Sequence, residues 1–437
     1  MILAYAPIPP ITAHQSLVFL LQIGLLLVTA LLLGRLATRL SMPAVAGELC
    51  AGVLLGPSIF EQVAPGTAAW VFPASPEQLH LVDGIGQVGV LLLVGLAGMS
   101  MDVGLIRRKG LSVAWVSAGG LLVPLGLGVA TGFLLPAVLL ADGAAGDRTV
   151  FAWFLGVAMC VSAIPVIAKT LLELRLLHRN VGQLIISAAA VDDFVGWLLL
   201  SVVAAMATGG VDPATVARSI GMLLLAVLIA ATIGRLVVNG ALRLSARTPE
   251  PGVMLAVAVA VIVLFSAATQ AAGMEPIVGA MFGGVLIGSS GWVDRERLAP
   301  LRRFVVAVLA PIFFAAAGLR MDLTALADLD VLLAALAVLA VAVIGKFAGV
   351  YGAARLARLG RWESLALGAG LNARGVIEVV IAMTGLRLGV LSPAMYTIVI
   401  LVAVATSLMA PLFLRFTVRR IPVTEEENER EAMMAAT

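Results

Sequence analysis

Two adjacent carboxylates, Asp192 and Asp193, stand inside the apolar run IISAAAVDDFVGWLLL. A charge at the centre of a bilayer costs about 3 kcal/mol on insertion scales, so such residues normally face a cavity and have partners. Successive helical positions point about 100° apart, so the two acids cannot share one direction. One can face an aqueous cavity while the other meets a neighbouring helix. Acids this close raise one another's affinity for protons. That suits a site that holds a proton at one moment and a cation at the next. The plainer alternative is a packing pair satisfied by Ser and backbone groups.

Three more charges lie deep in apolar sequence: Lys346, Arg374 and Glu378. Glu48 and Lys169 are nearer breaks or ends. Lys346 is the natural counter-charge for one of the aspartates. Its stem would have to snorkel about 13 Å to reach the level of Arg355, which is far for a lysine. Arg374 and Glu378 are four apart, hence on one helix face and able to pair. They either glue the helix to its neighbours or line and gate an ion path.

Just before them lies Asn372-Ala373-Arg374-Gly375, whose counterpart earlier in the chain is Ser162-Ala163-Ile164-Pro165. Pro removes a backbone bond from a spanning helix and Gly permits unusual dihedrals. Two breaks at nearly matching places point to a binding site built on interrupted helices. Lys169 and Glu173 are placed to compensate the dipoles of the broken ends.

Elements that hold these groups in hydrocarbon must be helices or a closed barrel. The apolar fraction is 61% and charged residues are 12% of 437, with a net charge of only +3. A soluble domain carries about twice that share of charge. The apolar runs are continuous rather than alternating, which argues against a barrel. Thirteen segments are expected, near 15–37, 43–58, 80–101, 111–137, 149–174, 181–207, 214–242, 251–272, 276–290, 302–320, 331–356, 364–386 and 392–415. Placing alternate connections on one side gathers 21 of the 28 basic residues there, against Arg148, Arg218, Arg320 and Arg387 on the other. The positive-inside rule makes the arginine-rich side cytoplasmic, with the N-terminus outside and the C-terminus inside. The expected protein is thus an all-α, multi-pass protein of the cell membrane.

An internal repeat organises the segments. GVLLGPS (52–58) returns as GVLIGSS (284–290), LAGMSMDV (96–103) as AAGLRMDL (316–323), and 155–176 aligns with 367–388 without gaps. An offset of seven spans inserts the second half upside down, an arrangement typical of secondary transporters. The expected layout is one transmembrane domain over 1–420: repeat one near 15–207, a linker helix near 214–242, and repeat two near 251–415. Residues 421–437 form a short cytoplasmic tail.

Other chemistries find little support. Cys50 and Cys160 read as small apolar residues, and His14, His80 and His178 fall at segment ends. The opening has no basic n-region, so a cleaved signal peptide is not expected. No nucleotide motif is present, and neither a cofactor nor nucleic-acid binding is expected. An intramembrane aspartyl protease needs acids approaching from separate helices, which adjacent residues do not provide. A potassium channel-like protein or an organic-solute carrier of the same architecture stays open as an alternative.

GELCAGVLLGPS (47–58), SAIPVIAKTLLELRLL (162–177), ISAAAVDDFVGWLLL (186–200) and LNARGVIEVVIAMTGLRLGVLSP (371–393) together resemble the monovalent cation:proton antiporter-2 family. The likeness is closest to its sodium/potassium–proton exchangers and the plant cation/proton exchanger branch, and covers nearly the whole chain. The resemblance implies a thirteen-helix fold with a dimerisation domain and a core in which two unwound helices cross, usually as a homodimer. It implies Na⁺ or K⁺ exchanged for H⁺ by elevator-like alternating access. Asp193 would be the main ion and proton carboxylate, and Asp192 the neighbour paired with Lys346. That Asp-Asp-Lys set resembles electrogenic members. Potassium-efflux members append a nucleotide-binding domain, which a chain of 437 residues has no room for.

Overall fold

A backbone group left unpaired in hydrocarbon costs several kcal/mol, and helices avoid that by closing their bonds internally. The structure, a computed structural model, describes residues 12–428 except 41, 74, 100–102, 142–146, 177, 210–212 and 249. The side chains of Pro165, Lys169 and Glu173 lie outside the described set, as do the last residues of the tail.

Each expected segment coincides with a helix or an interrupted pair. They are α1 (Ala13–Arg39), α2 (Ala44–Leu55), α3 (Pro76–Met99), α4 (Val103–Leu134), α5a (Arg148–Cys160) with α5b (Ile164–Glu173), and α6 (Asn180–Gly209). Then come α7 (Pro213–Ile229, continued through a π-turn to Arg235–Ala246), α8 (Pro251–Ala271) and α9 (Pro276–Gly288). The second half ends with α10 (Arg295–Phe304, a π-turn, then Ala310–Gly318), α11 (Leu329–Leu356), α12a (Arg361–Leu371) with α12b (Val376–Arg387), and α13 (Pro393–Val418). Among the described residues ten spans are long and apolar enough to cross a bilayer, that of α2 running on to Val63, and the α12 pair, bent by 47°, is an eleventh. The other two segments are the broken α5 and the 13-residue α9.

Packing divides the helices into two blocks. α4, α5 and α6 interleave with α11, α12 and α13, whereas α1, α2 and α3 pack with α8, α9 and α10. α7 leads from α6 to α8 and so joins the blocks. In the second block the repeat-equivalent glycines make reciprocal contacts. A Cβ added to Gly318 of α10 would stand 3.0 Å from Gly52 of α2, and one added to Gly98 of α3 would stand 3.3 Å from Gly284 of α9. Small residues let helix backbones approach this closely in membranes. The glycines of GVLLGPS and GVLIGSS are therefore packing surfaces, each met by the third helix of the opposite half.

Candidate functional site

Asp192 and Asp193 both lie in the middle of α6 and are buried. The run Ser187-Ala188-Ala189-Ala190 before them presents little bulk, and Ser117 of α4 donates to the Ala188 carbonyl at 3.1 Å. Asp192 faces α4, α5 and α11. Its Oδ2 accepts from Lys346 Nζ at 2.8 Å and from Ser162 Oγ at 2.9 Å. Lys346 spends its remaining protons on the carbonyls of Gly120 at 2.9 Å and Cys160 at 2.7 Å. Both side chains of the pair are wholly buried. A Cβ added at Gly120 would crowd Val350 at 3.0 Å and stand in ordinary contact with Lys346 Nζ at 3.6 Å.

Asp193, turned about 100° away, has no ion-pair partner among the described residues. The groups that act on it are the carboxylates of Glu378 and Asp192, the indole of Trp197 and the backbone N–H of Ile164. Trp197, one turn further along α6, is buried and its Nε1 makes no hydrogen bond of normal geometry.

Beside the acids the two broken helices cross. Ala163 N–H donates to the Ala373 carbonyl at 3.1 Å, and the one hydroxyl proton of Ser162 is shared between Asp192 Oδ2 and the Leu371 carbonyl, the latter 2.7 Å from Oγ. Ser407 Oγ of α13 donates to the Arg374 carbonyl. A helix end leaves carbonyls or N–H groups without intrahelical partners, and the buried charges supply them. Arg374 donates to the carbonyls of Ala158 and Met159, both at 2.5 Å, and Lys346 takes the next one, Cys160. Two cations thus cap the negative C-terminal end of α5a. Glu378 Oε2 accepts from Gly375 N–H at 2.6 Å at the positive N-terminal end of α12b. Both placements match the helix dipole.

The expectation for Arg374 and Glu378 is refined by these contacts. They share a face and are almost fully buried, but neither is the other's hydrogen-bond partner. Each satisfies a broken helix end instead. Sequence reasoning placed Asn372 only as part of the break. The structure makes it a wholly buried amide whose Oδ1 and Nδ2 bond nothing among the described residues. Asp192 Oδ1, Glu378 Oε1 and Arg374 Nε are likewise unpartnered. Buried polar atoms are normally satisfied by protein, water or an ion. Among these unpartnered atoms, Asp192 Oδ1, Asn372 Oδ1 and Glu378 Oε1 are oxygens.

Polar links between the two blocks gather at the arginine-poor end. Arg387, in the last turn of α12b, pairs with Glu275, the N-cap of α9, at 3.0 Å. Tyr396 of α13 donates from its hydroxyl to the Ala317 carbonyl of α10 at 2.6 Å, and Arg320 reaches Met383 Sδ at 3.9 Å. Arg320 also holds Asp83 of α3 through both carboxylate oxygens, at 2.5 and 2.6 Å. A cavity lies behind these links, lined by Gln87, Phe313, Val380 and Thr384 among others. A second cavity, near the arginine-rich end, is lined by Pro43 and Ala46 of one block and by Arg374, Gly375 and Ser407 of the other.

Comparison with known proteins agrees with this architecture. The chain is 30% identical over 406 residues to the Na⁺/H⁺ antiporter NhaS4 of Synechocystis, covering 92% of this chain and 98% of that one. It is 27% identical over 402 residues to the Na⁺/H⁺-K⁺ antiporter GerN of Bacillus cereus, 91% and 96% of the two chains. Cation/H⁺ antiporter 19 of Arabidopsis thaliana is 28% identical over 392 residues, 89% of this chain, and the chain spans about half the length of that relative. The solved sodium proton antiporter MjNhaP1 from Methanocaldococcus jannaschii shares the fold, with a TM-score of 0.66 and 15% identity over 93% of this chain and 99% of that one. The transmembrane sodium/hydrogen exchanger model matches residues 25–420, so the chain belongs to the sodium/hydrogen exchanger family.

Proposed function

We propose that the protein is a monovalent cation/proton antiporter in which H⁺ and Na⁺ or K⁺ take turns on Asp193. The observation that carries this reading is the division of labour between adjacent acids. Asp192 is committed to Lys346 and Ser162, whereas Asp193, the next residue, has no ion-pair partner among the described residues. A carboxylate without a fixed counter-charge can accept either a proton or a cation, and binding one displaces the other. That competition is antiport chemistry.

The division into two blocks supports alternating access as the mode of transport. The Arg387–Glu275 and Tyr396–Ala317 links tie the blocks together at the arginine-poor end, and the cavity at the other end is lined by Arg374 and Gly375 of the crossing. By the positive-inside rule that end is cytoplasmic. The proposed cycle moves the α4–α6 and α11–α13 block against an inverted-repeat scaffold, carrying Asp193 between the two sides. The relatives named as Na⁺/H⁺ and Na⁺/H⁺-K⁺ antiporters support the cargo class.

The test uses proteoliposomes with an acidic interior and a trapped pH dye, to which Na⁺ or K⁺ is added outside. Cation-dependent alkalinisation is expected, and its dependence on concentration ranks the two ions. No proton movement with either ion across a range of pH overturns antiport and favours a channel or an organic-solute carrier.

A further inference from the structure

Arg387 and Glu275 stand apart from the other charges because they belong to different blocks. Glu275 is fixed by the scaffold. It occupies the N-cap of α9 with Pro276 behind it, a position that favours negative charge whether or not a cation is near. Its side chain is only 9% exposed, whereas that of Arg387 is 46% exposed. Arg387 rides on α12b, whose other end is the crossing that touches the buried acids. The neighbouring pair, Asp83 and Arg320, has both members on the scaffold side and need not part when the blocks move.

We propose that the Arg387–Glu275 pair is a latch across the outer mouth, and that Glu275 becomes a docking carboxylate for the incoming monovalent cation once the latch parts. This rests on the alternating-access reading above. Displacement of α12b along the scaffold must withdraw the guanidinium and leave a largely buried carboxylate facing the opened cavity. A buried carboxylate without a counter-ion is costly. An external cation offsets that cost and so favours the open form. Arg387 and the external cation therefore compete for one carboxylate, and by linkage the cation promotes opening to the same degree that opening promotes its binding. Thr384 and Val380, which line the cavity behind the latch, lie on the same helix between the mouth and the crossing.

The test reads opening directly and does not depend on exchange. A cysteine replaces Thr384 in a Cys50→Ser background (Cys160 is buried and stays), and a membrane-impermeant thiol reagent is applied from outside. Arg387→Gln and Glu275→Gln are each expected to speed labelling about two- to fivefold, the range a half-exposed ion pair supports. Replacing external choline by Na⁺ or K⁺ should speed labelling in the parent and in Arg387→Gln, but not in Glu275→Gln. Equal labelling in the parent and both variants overturns the latch. A cation response that survives in Glu275→Gln overturns the docking site. Failure of antiport itself would appear only in the pH-dye assay, so the two failures are told apart.

Discussion

The crossing of α5 and α12 and the arginine-poor end are both held by charges, but under opposite conditions. At the crossing, Lys346 and Asp192 are wholly buried and Arg374 and Glu378 nearly so, and their partners include backbone groups released by the broken helices. At the arginine-poor end, Arg320, Asp83 and Arg387 are partly exposed, and the Arg387–Glu275 pair runs between the two blocks while Asp83–Arg320 stays within one. Buried pairs are costly to break from one side, by about 3–5 kcal/mol, while exposed pairs contribute roughly 0–1 kcal/mol. The first set therefore fixes the geometry of the crossing. In the second set, Arg387–Glu275 is the pair that the proposed cycle would have to break, and Asp83–Arg320 is not. Position in the bilayer, more than residue type, separates framework from moving part.

That contrast can be broken at several points. Lys346→Met strands Asp192 without its counter-charge and is expected to destabilise the folded protein by about 3–5 kcal/mol in detergent unfolding. Adding Asp192→Asn should recover much of the loss; a single variant as stable as wild type would remove the pair from the framework. Arg374→Met loses two charge-assisted bonds to the end of α5a, for an expected cost of about 2–4 kcal/mol. Arg374→Lys should restore only part of it, because a point charge cannot span two carbonyls as a guanidinium does. Full rescue by Lys would show that charge alone suffices there.

A smaller effect is expected outside the membrane. Glu427 accepts from Arg179 Nε at 3.1 Å and from the backbone N–H groups of Asn180 at 2.6 Å and Thr424 at 3.0 Å, and so caps the start of α6. Burial pushes its carboxyl up, but the backbone N–H groups and the Arg179 guanidinium outweigh burial and hold it below the usual glutamate range. A depressed value means the contribution is full above the unfolded value of about 4.3 and fades as pH falls through the folded one. Glu427→Ala should cost about 0.5–2 kcal/mol at neutral pH. The gap from wild type should shrink as the solution is acidified below that range. A gap that stays constant into acid would mean that the carboxylate's charge is not what matters.

Much of the fold was legible because hydrocarbon imposes it. Thirteen apolar runs, the arginine asymmetry and the two Gly/Pro-marked breaks each carry a local signal, and the helices fall where those signals lie. Lys346 was legible as a counter-charge because a lysine that deep in apolar sequence needs one, and Asp192 was singled out as its partner by family resemblance. The true partners of Arg374 were not legible, since every residue has a carbonyl and only the crossing reveals which ones are orphaned. Trp197 carries a readable signal, an indole N–H one turn after Asp193 in VDDFVGW. The Arg387–Glu275 pair joins residues 112 apart in different blocks, and no periodicity reports such a contact.

The most direct test of the central claim compares Asp193→Asn with Asp192→Asn in the pH-dye proteoliposome assay, with unfolding midpoints measured on the same preparations. The account predicts that Asp193→Asn keeps the wild-type midpoint and loses cation-dependent proton movement. Asp192→Asn should lower the midpoint while retaining measurable exchange. Wild-type exchange in Asp193→Asn would contradict the assignment of the shared site to Asp193.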